Sequence, residues 1–149
     1  MQTRHSLPQL LNEYIKDELH DFHYYMEVAK KADRPEVKKM VEEFAYDEYQ
    51  HAQMLTAYYV RLTGSMPTIG PLTIEPVGDD LEEVFMERVI PETSDMKKWK
   101  RLYLSTCDPW LRDIAFNNMV DESQHATRLL YLVEQADVEP PTPKGMVLY

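Results

Sequence analysis

Apolar residues recur at helical spacing in four long stretches of this chain. The stripes are Leu7, Leu11, Ile15, Phe22 and Tyr25; Val37, Val41, Phe44, Leu55, Tyr58 and Leu62; Phe85, Val89, Met96 and Trp99; and Leu111, Ile114, Ala115, Leu129 and Leu132. Such spacing puts each set on one face of an amphipathic helix. Glycine and proline fall almost wholly between the stretches, which predicts helices over about 7–32, 35–63, 79–106 and 109–136. Ser6 is a candidate cap for the first, and Asp33-Arg34-Pro35 turns the chain into the second. Asp108 followed by Pro109 opens the fourth. The segment 64–78 holds Pro67, Gly70, Pro71 and Pro76 and reads as an extended crossover, and 137–149 as a proline-rich tail beyond a bundle spanning 1–136. Short, long and short connections predict an all-α four-helix bundle built from two antiparallel hairpins.

Charged residues interrupt the stripes in a repeated pattern. Glu-x-x-His occurs as Glu48 to His51 and again as Glu122 to His125, and residues 7–59 lie on 81–133 without a gap at an offset of 74. The matches include Glu18 with Glu92, Asp21 with Asp95, and Asp47-Glu48 with Asp121-Glu122. Glu18, Glu48, His51, Glu92, Glu122 and His125 all fall on core-facing stripes. A buried, uncompensated carboxylate costs on the order of several kcal/mol, and four neighbours would also repel. Two divalent cations cancel four such charges, and residues three apart on a helix share a face. A single Glu-x-x-His on a helix is commonly solvated surface. Two copies in mid-stripe, each with a matched upstream glutamate, form the ligand set of a di-iron or di-manganese bundle.

Composition narrows the alternatives. A net charge of −10 argues against a nucleic-acid partner. The single cysteine, Cys107, excludes a disulfide framework and a four-cysteine metal centre in this sequence. No apolar run of about 18 residues is present to span a membrane, and Met1 to Leu7 is too polar for a signal peptide. The expectation is a cytoplasmic protein.

The set Glu18, Glu48-x-x-His51, Glu92, Glu122-x-x-His125 resembles the rubrerythrin branch of the ferritin-like superfamily over residues 7–136. The resemblance implies two iron ions per chain, with manganese as the alternative. Glu18, Glu48 and His51 would serve mainly one ion and Glu92, Glu122 and His125 the other, with Glu48 and Glu122 bridging. It also implies a role for Tyr25 beside the metals, as hydrogen-bond or electron donor. Asp95 stands where the family carries a longer glutamate ligand. By the same likeness Asp47 would hold His125 and Asp121 would hold His51, fixing their tautomers. Asp21, the repeat partner of Asp95, is either a further ligand or polar packing. Rubrerythrins proper carry a rubredoxin-like domain with four cysteines; this chain ends at Tyr149 without one, so the expected electron donor is a separate protein. A homodimer is expected from likeness alone.

The functional expectation is an oxidoreductase that reduces hydrogen peroxide or reacts with dioxygen. The rivals are a ferroxidase that handles iron as cargo, and a bundle whose metals only brace the fold. Pro91, directly before Glu92, predicts a kink or break in the third helix, with Glu87 as the replacement ligand on a shifted register. His20 and His23 read as solvated, and Cys107 as a small buried or capping residue.

Overall fold

A computed structural model describes residues 6–136; the predicted tail 137–149 lies outside them. Four helices follow one another: α1 Leu7–Lys31, α2 Pro35–Thr63, α3 Leu81–Ser105 and α4 Pro109–Ala136. No strand occurs among the described residues. At 1.5 Å per residue each helix is about 40 Å long.

The ends are set by local chemistry. The Ser6 N–H donates to Gln9 Oε1 (2.9 Å) at the start of α1, and Pro35 opens α2, where its missing N–H leaves no helical bond unmade. Asp108 Oδ1 accepts from the N–H groups of Trp110 and Leu111 and caps α4. Gly64 ends α2 at φ 75°, in the left-handed region where glycine has no Cβ penalty. The third helix begins at Leu81, two residues later than the pattern predicts. Asp80 is the residue whose side chain accepts from Glu82 and Glu83 N–H, whereas Asp79 points away to an ion pair with Lys31 (2.6 Å).

The first hairpin is α1 against α2 and the second α3 against α4; α2 and α4 meet over a narrower front. The backbones of α1 and α3 stay farther apart, and long side chains span the gap between them. The crossover 64–80 is tied along α1: Asn12 Nδ2 donates to the Thr68 carbonyl (3.0 Å), and Lys31 Nζ to that of Val77 (2.7 Å). Val77 is buried.

Two apolar clusters fill the ends of the bundle. One gathers Tyr25, Val28, Val41, Phe44, Phe85 and Leu129. The other gathers Leu11, Ile15, Leu55, Trp99, Leu102 and Leu111. The predicted stripes lie in these clusters with two exceptions: Leu62, which is 44% exposed near the end of α2, and Met96, which is half-buried outside both. Helix α3 runs unbroken through Pro91. Glu92 therefore stays in register and is buried, while Glu87 is exposed and not needed as a substitute. Cys107 is exposed rather than buried.

Candidate metal centre

Between the two apolar clusters the core is polar. Glu18, Glu48, Glu92, Glu122, His51 and His125 are each 0–2% exposed. Their helices explain why they converge. Glu48 and His51 are three apart on α2, as Glu122 and His125 are on α4, so each pair faces inward from one turn. Glu18 comes from the middle of α1 and Glu92 from the middle of α3.

The two histidines face the same pair of glutamates. His51 Nδ1 lies 3.1 Å from Glu18 Oε2, 3.4 Å from Glu48 Oε2 and 3.4 Å from Glu122 Oε1. His125 Nδ1 lies 3.3 Å from Glu92 Oε2, 3.2 Å from Glu48 Oε1 and 3.4 Å from Glu122 Oε2. Glu48 and Glu122 thus present one oxygen to each histidine, and Glu18 and Glu92 serve one histidine each. Two donor groups follow: Glu18, Glu48, His51 and Glu122, and Glu48, Glu92, Glu122 and His125, each with its ligand atoms within 4.8 Å of one another.

The donor set suits a pair of divalent ions. Glu48 Oε1 and Glu122 Oε2 are fully buried and accept no hydrogen bond, an arrangement that costs about 1–3 kcal/mol or more per group unless something else meets the oxygen. His51 Nε2 donates to Asp121 Oδ2 (3.1 Å) and His125 Nε2 to Asp47 Oδ2 (3.1 Å). A carboxylate can only accept, so the proton belongs on Nε2 and Nδ1 is left to bind an ion. Mixed carboxylate and imidazole donors accept iron or manganese alike.

Without an ion the charges are strained. Burial and the neighbouring charge of Glu122 push the Glu48 carboxyl well above the usual range. Burial also raises Glu122, against the pull of the two facing histidines. For His51 and His125 burial opposes protonation, but the facing carboxylates, Asp121 and Asp47 foremost, carry both well above 6.5. Burial opposes ionisation of Glu18 as well, yet Lys98 and His51 draw it down from 4.5 to about 2.

Sequence reasoning missed two cations. Lys98, on α3, is 7% exposed, and its Nζ donates to Glu18 Oε1 (2.9 Å) and pairs with Asp95 Oδ1 (2.9 Å). Arg88 donates through Nη2 to Glu92 Oε1 and to Asp21 Oδ2, both at 2.8 Å. Asp95 and Asp21 are therefore partners of these cations and belong to neither donor group. Burial raises Asp95 to about 7 against the pull of Lys98. The Tyr25 hydroxyl donates to Glu92 Oε1 and accepts from Arg88 Nε (3.3 Å). Trp99, its counterpart in the repeat, donates from Nε1 to Glu122 Oε1 (3.0 Å). The available signal was Lys98 itself, which stands beside Trp99 on a core-facing stripe. His20 is also not free: its ring meets Asp21 (3.0 Å) and Glu75 of the crossover (2.8 Å), while His23 is exposed.

A four-helix bundle that closes its core on a carboxylate–histidine set of this kind is ferritin-like. The comparisons agree and go one step further. Residues 9–107 match the family described as Rubrerythrin, and the chain belongs to that family. Two solved structures share the fold. One is a hypothetical protein, Pfu-1136390-001, from Pyrococcus furiosus, at 19% identity and TM-score 0.76, covering 87% of this chain and 89% of that one. The other is the Mycobacterium tuberculosis bacterioferritin BfrA, at 24% identity and TM-score 0.71, covering 92% and 89%. No curated protein gives a significant match. Among the described residues no helix is long and apolar enough to cross a membrane.

Proposed function

We propose that the chain holds two iron ions at this centre and is an oxidoreductase that reduces hydrogen peroxide, with electrons from a separate donor protein. The observation that carries the reading is the division of Glu48 and Glu122 between the two histidines, one oxygen to each. That geometry supports two ions, one of which Glu18, Glu48, His51 and Glu122 would hold and the other Glu48, Glu92, Glu122 and His125. Bound iron would supply Lewis acidity and the electrons for cleavage of an O–O bond.

The protein's own groups then have definable tasks. Asp47 and Asp121 hold the histidines in the ligating tautomer. Trp99 and Tyr25 fix the planes of Glu122 and Glu92 through single hydrogen bonds. Peroxide reduction takes two electrons and two protons and yields two waters. Tyr25, Arg88 and Asp21 form a hydrogen-bonded line from Glu92 toward the bundle surface; the Tyr25 hydroxyl is the group in it suited to pass a proton, while Arg88, a donor only, holds the line in place. Dioxygen is the alternative oxidant. Family likeness favours a homodimer.

A second reading treats iron as cargo. Between α2 and α4 an open cleft of about 520 Å³ is lined by Glu42, Glu43, Asp47 and Asp121, with Lys39 and Arg128. It leads to the two aspartates behind the histidines, a route suited to an incoming cation. Anaerobic loading with ferrous iron, followed by elemental analysis and rapid mixing with peroxide or dioxygen, separates the readings. The oxidoreductase reading expects about two irons per chain that are oxidised by peroxide and stay bound through repeated cycles. Iron that leaves after oxidation favours the cargo reading, and a site that keeps only zinc sinks both.

A further inference from the structure

The outer glutamates are not free to use both oxygens. Glu18 Oε1 accepts from the buried ammonium of Lys98 (2.9 Å), while Oε2 faces His51 (3.1 Å). Glu92 Oε1 accepts from Arg88 (2.8 Å) and from Tyr25, while Oε2 faces His125 (3.3 Å). In both cases the cation takes the oxygen remote from the histidine. The bridging pair differs: Glu48 and Glu122 each send an oxygen to both histidines and pair with no lysine or arginine among the described residues.

The two ends of the centre correspond under the internal repeat, although the two cations do not occupy equivalent positions. Lys98 lies 4.9 Å from the ring of Tyr14 and Arg88 5.3 Å from that of Tyr24. The 74-residue offset carries Tyr14 onto Arg88 and Tyr24 onto Lys98. Each end of the centre therefore has one cation, one tyrosine ring and one aspartate (Asp95 or Asp21) around the far oxygen of an outer glutamate. The residue types are interchanged between halves, and the arrangement is the same. Breaking such a contact would strand a buried cation, at a cost on the order of several kcal/mol.

We propose that Lys98 and Arg88 are positioning residues that withhold one oxygen of each outer glutamate, so that Glu18 and Glu92 meet an ion through Oε2 alone and leave a coordination position open at each ion for a small oxygen ligand. Each ion then receives one histidine nitrogen and one oxygen from each of three carboxylates, fewer than the octahedral set that such ions accept. The proposal rests on the metal-centre reading above.

Cobalt(II) is the probe, because its visible absorption per bound ion falls as its coordination number rises. The wild-type chain, Lys98→Met, Lys98→Arg and Arg88→Met are loaded with cobalt, and stoichiometry and spectrum are read together. The expected result is two cobalt ions per chain in each protein. Absorption per ion is expected to fall in Lys98→Met, as the freed carboxylate chelates, to fall less in Arg88→Met, where Tyr25 still donates to Glu92 Oε1, and to stay at the wild-type level in Lys98→Arg. Azide, which perturbs the wild-type spectrum by taking the open position, should perturb the methionine variants less. Full loading of Lys98→Met with an unchanged spectrum and unchanged azide response overturns the proposal. Should Lys98→Met fail to fold by circular dichroism, Lys98→Gln is read by the same criteria. A wild-type chain that binds no cobalt, iron or manganese overturns the metal reading instead, and the proposal with it.

Discussion

Asp47 lies next to the first Glu-x-x-His motif yet accepts a hydrogen bond from His125, the histidine of the second, at 3.1 Å. Asp121 and His51 make the reciprocal contact. Each half of the chain thus orients the ligand that belongs to the other. Asp47→Ala or Asp121→Ala is expected to lower metal affinity by roughly 10- to 100-fold without unfolding the bundle. Chelator competition measures this, and wild-type affinity in both variants would rule out the aspartates as orienting groups.

Glu48 is buried beside Glu122, and its charge is costly in the absence of an ion. Replacing buried charged groups with apolar ones of similar volume is often neutral or stabilising, by about 1–4 kcal/mol. Glu48→Leu is therefore expected to lose tight binding of both ions while the metal-free bundle melts no lower than the wild type. Retention of two ions by this variant would contradict the bridging assignment.

Metal binding should release protons. Burial raises Glu48 and Glu122, and the facing carboxylates raise His51 and His125 despite burial. Each shift favours the protonated form of its group, and an ion must displace any proton held there. Affinity is therefore expected to rise with pH and to fall on acidification. Calorimetry at pH 7 in two buffers of different protonation enthalpy gives the number released, and a value of zero would refute the charge assignment. The histidine shifts also stabilise the metal-free fold fully below pH 6.5. That contribution is lost as pH rises through the folded-state values.

Tyr25→Phe removes a hydrogen bond to a charged group, a contact worth about 1.5–3 kcal/mol. The metal-free protein should lose stability on that scale, with two ions still bound after loading, because Arg88 continues to hold Glu92. Slower oxidation of the ferrous protein by peroxide, with unchanged metal content, would support Tyr25 in proton delivery. An unchanged rate would restrict it to packing.

Much of this was legible in the sequence because periodicity and the repeat constrain one another. A glutamate on an apolar stripe is conspicuous, and a second copy at fixed offset removes most alternatives; Glu18, Glu48, His51, Glu92, Glu122 and His125 converge as the pattern requires. What the pattern could not supply depends on the gap between α1 and α3. Lys98 reaches Glu18, and Arg88 reaches Asp21, across a distance that no stripe encodes. Asp95, which stands where the family carries a glutamate ligand, pairs with Lys98 one turn along the same helix. His20 pairs with Glu75 on the crossover, a segment without periodicity to place it. Pro91 misled in the other direction, because the packing of α3 keeps the helix continuous where local propensity favours a break.

The interchange of Tyr14 and Tyr24 with Arg88 and Lys98 makes each half of the chain dependent on the other. A symmetric pair of first halves would place tyrosine at all four positions, leaving Glu18 and its copy without a counter-charge. A symmetric pair of second halves would set arginine against lysine at each end. Neither symmetric pair contains the present arrangement, which needs one half of each kind. At these positions the two halves of the chain are complementary rather than interchangeable.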